Sequence, residues 1–488
     1  MAVSPPRRVV VIGGGIAGLA AAYALDKQAR ERGEDVQLTV LEAGARWGGK
    51  IQTERQDGFV IEAGPDTFVS TKPWGVALCR ELGLEDRLQG ADMARRRVFV
   101  LFRGRLVEMP EGLAMMVPSR IGPMIRTRLL SPLGKLRLAL DWILPSSKGE
   151  HDESLAAFIS RRLGRQVYER LIEPLMSGIY AGDGERLSLI STFPFLRDWE
   201  RRYGSVARGA LRQAEARSHR PDSGPHRSVF LTPMGGLGEI VEALLGRLRR
   251  ANLRLNTTVT RIDRAGRGYL VATASGETLA AEAVIVAAPA FAAADMLRGL
   301  DARLAELLDG VEYVSTATVS LAFRADDLPR PLDGHGYVIP RVEERPALAC
   351  TWTSTKFPHR APPDHALLRV FIGRAGQMDD PNLDETSLTR IARDELAETL
   401  DIRSDPLLVR VARWPRSMPQ YNLGHPERLR AIDERLESLP GLRLAGAAYS
   451  GIGIPDCIRS GEEAARAATE PARSHARLAL GVALEVER

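Results

Sequence analysis

The amino-terminal part of the chain alternates short apolar runs with turn residues. Val9–Ile12 has the length and composition of a buried strand, and QLTVLE, which ends at Glu42, is a second such run. Between them, the stretch from Leu19 to about Arg32 has the length and composition of a helix. The pattern predicts a β-α-β unit, which is the building block of a parallel sheet.

Three glycines occupy the predicted turn between the first strand and the helix. Gly13, Gly15 and Gly18 have the G-x-G-x-x-G spacing, which permits a tight turn, close approach of a pyrophosphate, and packing of the helix against the strand. The helix directs its positive amino terminus at the phosphates, and Glu42 can accept hydrogen bonds from ribose hydroxyls. The order of these features predicts an adenine dinucleotide site.

The segment EAGARWGGK, residues 42–50, decides between NAD and FAD. Arg46 can neutralise pyrophosphate charge, and the pair Gly48-Gly49 allows the backbone to approach the ligand a second time. An NAD site does not need this extra segment. The segment resembles the E-x-x-x-R-x-G-G pattern of FAD enzymes related to amine oxidases, and we therefore expect FAD.

Apolar patterns typical of the same domain return twice later in the chain. Residues 229–245 indicate a strand, a turn and a helix, and the stretch YLVATASGETLAAEAVIVAA indicates further strands. The last return, GLRLAGAAYSGIGIPDCIRSGEEAARAA, indicates a strand, a glycine loop and a helix. The predicted division is a discontinuous FAD-binding domain (1–89, 228–296 and 406–470), a helical insertion (90–217), a substrate-binding domain (297–405) and a carboxy-terminal tail (471–488).

The two inserted regions differ in their patterns. The first indicates helices near 122–143, 153–175 and 205–217, followed by a polar connector at 218–227. The second alternates apolar and polar residues, as in VEYVSTATVSLAF and HALLRVFIG, and ends in a predicted helix. The first region is therefore expected to be helical and the second to be α+β.

Composition indicates a globular protein of more than one domain. The chain has 488 residues, of which 44% are hydrophobic and 26% charged. Its three cysteines, Cys79, Cys350 and Cys457, lie far apart, which argues against disulfides or a zinc site and fits a reducing compartment. No metal site is predicted. The first strand begins too early to leave room for a signal peptide, and no apolar run has transmembrane length, so we expect a cytoplasmic protein.

Charge is concentrated in one stretch of the chain. The net charge is +5, and residues 91–150 hold eleven Lys or Arg, five Asp or Glu, and five of the eleven methionines. This composition fits a surface that meets anionic lipid, or a pocket for an apolar anion. A solvated face over a methionine-filled core is an equally good interpretation. No nucleic-acid-binding motif is present, so no nucleic acid partner is expected.

The last glycine loop is the second candidate for flavin chemistry. Gly453 and Pro455 precede a predicted helix with Asp456 as its amino-terminal cap. Such a helix end would stabilise negative charge on a reduced flavin. Cys457 is expected to be a buried thiol rather than a covalent flavin link. The chain has neither a G-x-S-x-G elbow nor a convincing nucleophile–base pair, and removal of hydride by a flavin needs neither.

Longer motifs extend the interpretation from cofactor to reaction. DESLAAFISRRLG (152–164), RLIEPLMSGIYAGDGERLSLISTFP (170–194), MPQYNLGH and GIGIPDCIRSG resemble the oxygen-dependent protoporphyrinogen oxidase family, within the amine-oxidase-like FAD enzymes. The resemblance covers most of the chain, and GIYAGD is its most specific part. It implies an α/β fold with a discontinuous Rossmann-like FAD-binding domain, an α+β substrate-binding domain and a helical membrane-binding insertion.

The same resemblance implies an activity and partners. Protoporphyrinogen IX would lose six electrons in three two-electron steps through FAD, and oxygen would be reduced to hydrogen peroxide, in haem or chlorophyll biosynthesis. The protein would be peripheral on the cytoplasmic face of a membrane. A homodimer and a transient handover of the product to ferrochelatase remain open.

The resemblance also assigns individual residues. Arg97 would anchor a substrate propionate, with Arg96 as the adjacent alternative, although this arginine run also fits a solvated surface. Trp352 would stack on the substrate ring beside Val338, and the backbone of Gly178 would border the methylene that is oxidised. The predicted cofactor-binding residues are Gly13, Gly15, Ile16, Ala17, Gly18, Glu42, Ala43, Arg46, Gly48, Gly49, Lys50, Gly64, Pro65, Val259, Trp414, Gly446, Gly453, Ile454 and Pro455.

Three alternatives remain open at this point. A coproporphyrinogen III oxidase would share the fold and the flavin chemistry on a substrate with four propionates. An amine oxidase or carotenoid desaturase would share the cofactor but lack the GIYAGD segment. A flavin-bearing scaffold without catalytic activity would release no peroxide when given a porphyrinogen.

Overall fold

A computed structural model describes residues 6–114, 117–118, 120–147, 149, 151–218, 228–376 and 383–469. Strands occur along almost the whole described chain. They are β1 (Arg7–Ile12), β2 (Val36–Leu41), β3 (Thr53–Gln56), β4 (Phe59–Glu62), β5 (Phe68–Val69), β6 (Leu88–Gly90), β7 (Val98–Phe102), β8 (Arg105–Glu108), β9 (Leu113–Ala114), β10 (Val117–Pro118), β11 (Phe230–Pro233), β12 (Asn252–Arg254), β13 (Val259–Ala265), β14 (Gly268–Thr273), β15 (Thr278–Ala281), β16 (Ala283–Val286), β17 (Tyr313–Arg324), β18 (Gly336–Val338), β19 (Ala347–Trp352), β20 (His365–Ile372), β21 (Leu408–Pro419) and β22 (Leu442–Leu444).

Helices surround these strands and fill most of the region between β10 and β11. A turn of π-helix, Tyr168–Ile172, joins two of them. The α-helices are α1 (Ile16–Arg32), α2 (Pro73–Leu82), α3 (Ile121–Arg126), α4 (Pro132–Ala139), α5 (Leu155–Arg162), α6 (Arg165–Val167), α7 (Glu173–Tyr180), α8 (Leu189–Thr192), α9 (Pro194–Tyr203), α10 (Val206–Ser218), α11 (Gly238–Arg247), α12 (Ala290–Leu297), α13 (Ala302–Asp309), α14 (Thr353–Lys356), α15 (Glu385–Leu400), α16 (His425–Glu437) and α17 (Ile454–Thr469).

A five-stranded parallel sheet forms the base of the dinucleotide site. Its strand order is β12-β2-β1-β16-β22, so it takes strands from all three stretches assigned to the FAD-binding domain. Helix α1 packs against α17, and this contact is close because Gly461 lies against the backbone of Ala17, where a Cβ would overlap it. The crossing therefore brings the first and last glycine loops to the same edge of the sheet.

A seven-stranded mixed sheet forms the second layer, in the order β21-β17-β20-β19-β18-β7-β8. Helix α15 covers one face, where Leu388 and Leu396 join the buried core of Leu368 and Val370. Strands β7 and β8 belong to the stretch expected to be helical, but Val98 pairs with Gly336, so they extend this sheet. Strand β21, which we had assigned to the FAD-binding domain, likewise forms an edge of this sheet.

The helical region has its own apolar core and buried ion pairs. The expected helices near 122–143, 153–175 and 205–217 correspond to α3–α4, α5–α7 and α10. Arg162 is fully buried and pairs with the equally buried Asp141 at 2.6 Å. Asp141 also accepts a hydrogen bond from the Ser205 hydroxyl at 2.6 Å. These contacts connect three separate segments of the region, because Arg162 also bonds the carbonyl oxygens of Leu144 and Gly204.

Some sequence-based predictions fall on residues outside the description. They are most of the connector at 218–227, the methionines at 115 and 116, and the tail at 471–488. Within the described ranges, no helix combines the length and the apolar character needed to span a bilayer.

Candidate active site

The first glycine loop joins β1 to α1. Gly13 has a φ of +110°, and a Cβ there would lie 2.7 Å from the Ala287 carbonyl oxygen. A Cβ on Gly18 would overlap the Gly13 carbonyl oxygen. Gly15 differs from both, because a Cβ there would meet only the Gly49 Cα, at 3.8 Å. Two of the glycines are therefore required by the fold, whereas Gly15 leaves open space in front of the helix.

Helix α1 begins three residues earlier than its apolar pattern predicts. Its first residue is Ile16, so Ile16 and Ala17 lie in the first turn directly after Gly15. The unpaired amide groups of this turn face the space beside Gly15, which gives an anion site at the amino terminus of a 17-residue helix.

The Glu42 carboxylate is fixed by two backbone amides. The amide of Gly14 donates to one oxygen at 2.6 Å, and the amide of Gly44 donates to the other at 2.7 Å. The Glu42 carbonyl accepts from Thr257 at 2.8 Å, which places Ala43 and the start of β13 at Val259 beside the same loop. Each carboxylate oxygen keeps a lone pair for a ribose hydroxyl.

The segment after Glu42 runs alongside the first glycine loop. Gly48 forms a parallel bridge with Gly15, and its amide donates to the Gly14 carbonyl at 2.8 Å. The φ angles of Gly48 and Gly49 are +101° and +58°, which glycine adopts without strain. Two stretches of glycine backbone therefore lie side by side at this edge of the sheet, and their contact with the cofactor stays a prediction.

Two cationic side chains border the first glycine loop and the segment that runs alongside it. The Arg46 guanidinium donates to the Ile51 carbonyl at 3.2 Å, and burial lowers the pKa of Arg46. Burial also lowers the pKa of the Lys50 ammonium, and the opposing interaction comes from the Cys457 thiol rather than from a carboxylate. The Lys50 ammonium is therefore partly desolvated and has a thiol rather than a carboxylate beside it, which fits a site for an anionic ligand.

The next predicted contact, Gly64-Pro65, lies on a loop that is tied to the seven-stranded sheet. The Ala63 carbonyl accepts hydrogen bonds from Trp414 Nε1 at 2.8 Å, Thr318 Oγ1 at 3.0 Å and Arg369 Nη2 at 3.0 Å. Arg369 also donates to the Gly64 carbonyl. The three donors hold this loop against the sheet, and Trp414 is thereby brought within reach of Gly64.

The last glycine loop completes the same site. The Gly446 amide donates to Ser460 Oγ at 3.0 Å, and Ala17 lies beside Gly446. The Gly451 amide donates to the Tyr421 hydroxyl at 2.8 Å, and that hydroxyl donates to the Ala447 carbonyl at 2.7 Å. These bonds fix both ends of the loop that contains Gly453.

Helix α17 begins at Ile454, so Ile454 and Pro455 form its first turn. Asp456 lies in this turn rather than at the predicted cap position, and it pairs with Lys72 at 2.6 Å. Burial raises the pKa of Cys457 to about 12, as expected for an unreactive thiol. The carboxylate and the ammonium thus attach the helix start to the segment after β5.

These loops converge on one concave site, and the residues present fit FAD. The space beside Gly15 suits a pyrophosphate, Glu42 suits the ribose, and Lys50 and Arg46 suit the negative charge. Among the described residues, no group of three His, Cys, Asp or Glu side chains could hold a metal ion.

Helix α7 contains Gly178, the residue predicted to border the substrate. Gly178 is exposed, and no atom lies within 4 Å of the position that its Cβ would take. Tyr180, at the end of this helix, packs against Tyr421 with ring centroids 6.1 Å apart. Tyr421 bonds the last glycine loop, so the end of α7 at Tyr180 is connected to that loop.

The structure does not bring Val338 and Trp352 together. Val338 pairs with Ala349, whereas Trp352 lies opposite Leu368, and alternation puts these pairs on opposite faces of the sheet. Val338 packs against the helical region. Trp352 belongs to the core under α15 and contacts Phe99 with ring centroids 5.6 Å apart.

Arg97 lies on the side of Trp352 rather than of Val338. Its guanidinium stacks over the Phe99 ring at 5.3 Å and pairs with Asp333 at 2.6 Å and with Glu108 at 3.2 Å. All three charged side chains are at least 40% exposed. Two carboxylates therefore already compensate the positive charge of Arg97, which the family resemblance assigns to binding a substrate propionate.

Sequence reasoning missed two residues on the face of Val338. Phe371 lies opposite Ala349 and is half-buried, and the Arg369 guanidinium stacks on its ring at 4.7 Å. The alternation in HALLRVFIG contained the signal, because Leu368 and Val370 are core while Arg369 and Phe371 point the other way. Phe371 is thus an aromatic side chain on the face that Val338 shares.

The chain is similar to known flavoproteins over nearly its whole length. It is 40% identical over 459 residues to coproporphyrinogen III oxidase of Bacillus subtilis (strain 168), a match that covers 94% of this chain and 97% of that protein. It is 29% identical over 492 residues to mitochondrial protoporphyrinogen oxidase of Nicotiana tabacum, with 95% and 94% covered. A crystal structure of a candidate protoporphyrinogen oxidase from Exiguobacterium sp. 255-15 superposes with a TM-score of 0.83 at 34% identity, with 95% and 98% covered.

The family model of the flavin containing amine oxidoreductases matches residues 16–469. This range begins at the first residue of α1, directly after Gly15, and ends at the last residue of α17, so it includes the Gly48-Gly49 segment and the last glycine loop. The chain therefore belongs to the family of flavin containing amine oxidoreductases, and its cofactor is FAD.

Proposed function

We propose that this protein is an oxygen-dependent porphyrinogen oxidase. Each of three steps removes a hydride from a methylene carbon of the macrocycle together with one proton, so six electrons leave in total. Two of the three protons come from pyrrole N–H groups and the third comes from the remaining methylene carbon. FAD, when bound, supplies the two-electron acceptor. Three molecules of oxygen take up the electrons and protons as three molecules of hydrogen peroxide, which balances the reaction.

The open face at Gly178 is the observation that supports this proposal most directly. A porphyrinogen is a flexible, non-planar macrocycle, and it needs a wide, apolar opening in which backbone rather than a side chain faces the reacting carbon. Gly178 provides such a position, and the neighbouring Ile179 exposes 44% of its surface. Val338 and Phe371, which are both half-buried, supply apolar surface on the facing sheet.

The remaining residues bind and orient rather than exchange protons. Lys50, Arg46 and the glycine loops hold the charged part of the cofactor, and Trp414 and Arg369 fix the loop at Gly64. Burial lowers the pKa of His425 to about 4, so this imidazole is neutral at pH 7 and stacks on Tyr421 with centroids 4.3 Å apart. The pyrrole protons are released to water or to a backbone carbonyl.

Two porphyrinogens are candidate substrates. The motifs predict protoporphyrinogen IX, but the chain is 40% identical to a coproporphyrinogen III oxidase and 29% identical to a protoporphyrinogen oxidase. The net positive charge of residues 91–150, which hold eleven Lys or Arg and five Asp or Glu, also suits a substrate with four propionates. We therefore propose coproporphyrinogen III as the faster substrate, with protoporphyrinogen IX as the second candidate.

Steady-state oxidation of both porphyrinogens tests this choice. With FAD-loaded protein, we expect kcat/KM for coproporphyrinogen III to exceed that for protoporphyrinogen IX by at least about tenfold, which corresponds to ~1.4 kcal/mol. Porphyrin fluorescence and peroxide release are measured together, with three peroxides expected per porphyrin. The reverse preference would establish protoporphyrinogen IX as the substrate.

The same assay separates the other enzyme classes. Peroxide release with primary amines, but not with porphyrinogens, would indicate an amine oxidase. Flavin that stays oxidised when a porphyrinogen is added anaerobically would indicate a scaffold without catalytic activity. Either outcome would contradict the proposed function.

We further propose that the protein associates peripherally with the cytoplasmic face of a membrane through the surface of α4 and the turn after it. Leu133, Leu136, Leu140 and Ile143 follow one another at helical spacings of three and four residues, and Leu133 and Ile143 are each 77% exposed. Lys135 lies within this stretch and donates to the carbonyl of Ile125, which precedes the exposed Arg126, so cations border the apolar stripe.

Flotation with anionic liposomes tests the membrane proposal. Each exposed leucine that enters the lipid boundary contributes about 1.5 kcal/mol or more, so L133S/L136S is expected to reduce bound protein at least roughly tenfold. The matched control is V342S/L407S, which removes two side chains of similar exposure elsewhere. Equal flotation of the two double variants, or no flotation of the parent protein at low salt, would contradict the proposal.

A further inference from the structure

A small enclosed cavity lies between the FAD-binding part and the seven-stranded sheet. Its volume is about 10 Å³, which is enough for one particle the size of a water molecule. None of the predicted cofactor or substrate residues lines it. The lining residues are Ile61, Glu62, Asp66, Ser320, Thr353, Phe357, Arg360, Leu367 and Arg369.

Charges of both signs surround this cavity, and cations are in excess. Arg360 pairs with Glu62 at 2.9 Å, and Lys356 lies 3.5 Å from Asp66. Arg369 is 3% exposed and interacts electrostatically with both carboxylates. Three cations thus face two carboxylates in a buried place, which leaves one positive charge to be balanced.

The Glu62 carboxylate has little capacity left to balance that charge. It accepts hydrogen bonds from Arg360 at 2.9 Å, from the Thr53 hydroxyl at 2.6 Å and from the Leu237 amide at 2.7 Å. Asp66 accepts from its neighbour Thr67 at 3.0 Å. Most of the hydrogen bonds that these two carboxylates accept therefore come from groups outside the cavity.

Four polar atoms at the cavity are buried and have no partner within the described chain. They are Arg360 Nε, Arg369 Nε, Arg369 Nη1 and the hydroxyl oxygen of Thr353. The three guanidinium nitrogens can act only as hydrogen-bond donors. The Thr353 hydroxyl can act as a donor as well as an acceptor. Leaving such donors unsatisfied costs about 1–3 kcal/mol each, more where the group is charged. An acceptor that offers no protons of its own would satisfy all four.

We propose that this cavity binds a small monoanion, chloride or a halide of similar size. The anion balances the excess positive charge and accepts from two guanidinium groups and one hydroxyl. Because Arg369 also holds the carbonyls of Ala63 and Gly64, the anion stabilises the loop that borders the cofactor. A water molecule suits this cavity less well, because it brings protons into a site whose free groups are donors.

Bromide is the probe that tests the proposal on the FAD-loaded protein. Crystals grown in sodium bromide are expected to show an anomalous peak between Thr353 and Arg369. In solution at constant ionic strength, replacing gluconate by bromide is expected to raise the melting temperature in a saturable way and to slow the loss of FAD. T353V is expected to weaken the bromide response at least tenfold.

The matched control is T355V, which makes the same change at a buried threonine that does not line the cavity. T355V is expected to keep the bromide response of the parent protein. Density for a water without anomalous signal, together with equal melting temperatures in the two salts, would overturn the proposal. An equal bromide response in T353V and the parent protein would show that bromide does not bind in this cavity.

Discussion

Replacing Gly15 by valine is expected to give a folded protein that does not retain FAD. Gly15 has extended backbone angles (φ −75°, ψ 177°), which a β-branched residue adopts easily, and its Cβ would meet only Gly49 Cα, at 3.8 Å. The valine side chain would instead fill the space in front of helix α1 that suits the pyrophosphate. The variant therefore separates cofactor binding from folding.

We expect FAD affinity to fall at least about a hundredfold, which is ~2.7 kcal/mol, and the purified variant to be colourless. Flavin absorbance per chain and circular dichroism are the measurements. G246A is the matched control, because Gly246 lies inside α11 with no atom within 4 Å of its Cβ position, so the change should stabilise the helix by up to about 1 kcal/mol and leave FAD in place. Fully loaded, yellow G15V protein would contradict the assignment of this space to the pyrophosphate.

The first β-α-β unit could be predicted from the sequence because its signals are local. The glycine spacing, the apolar strand and the acid at Glu42 lie within 42 residues, and the structure places them as expected. The apolar pattern predicts that α1 begins at Leu19, whereas it begins at Ile16, because Ile16 and Ala17 lie between the glycines of the loop. A helix start within a glycine-rich loop leaves no local mark in the hydrophobic pattern.

Strand partners far apart in the chain could not be predicted. The run Val98–Phe102 is apolar, but only its parallel pairing with Gly336–Val338, more than 230 residues later, makes it part of the seven-stranded sheet. The sequence places Val98–Phe102 in the predicted helical insertion, because the stretches that follow it have helical character. Pairing of this kind depends on tertiary contacts, which the local composition does not specify.

The substrate side was predicted less well than the cofactor side for a related reason. Side chains alternate between faces, so the register of each strand decides whether two residues can line one site. The shift in register between Ala347 and Ala349 and the pairing of Trp352 with Leu368 put Trp352 under α15. The same register puts Phe371 on the face of Val338. Arg97 could not be distinguished from a solvated arginine until Asp333 was found beside it.

The buried pair of Glu173 and Arg374 gives the second large expected effect, because it positions the helix that contains Gly178. Glu173 is 3% exposed and Arg374 is 1% exposed, and their charged atoms are 3.4 Å apart. The Glu173 carboxylate also accepts from the Ser177 hydroxyl at 2.7 Å and from the Arg341 amide at 3.0 Å. This one carboxylate therefore fixes α7 against the loop after β18.

E173Q is expected to lower the free energy of unfolding by about 3–5 kcal/mol, because the Arg374 guanidinium is left buried without its counter-charge. E169Q is the matched control one turn earlier: Glu169 pairs with Arg165, which is 62% exposed, and such pairs contribute about 0–1 kcal/mol. Denaturant unfolding of both variants measures the difference.

In the double variant E173Q/R374M the buried positive charge is absent, so part of the lost free energy of unfolding should be recovered. Equal stability of E173Q and E169Q would contradict this role, whereas a lower kcat in E173Q with unchanged FAD content would show that α7 positions the reacting methylene.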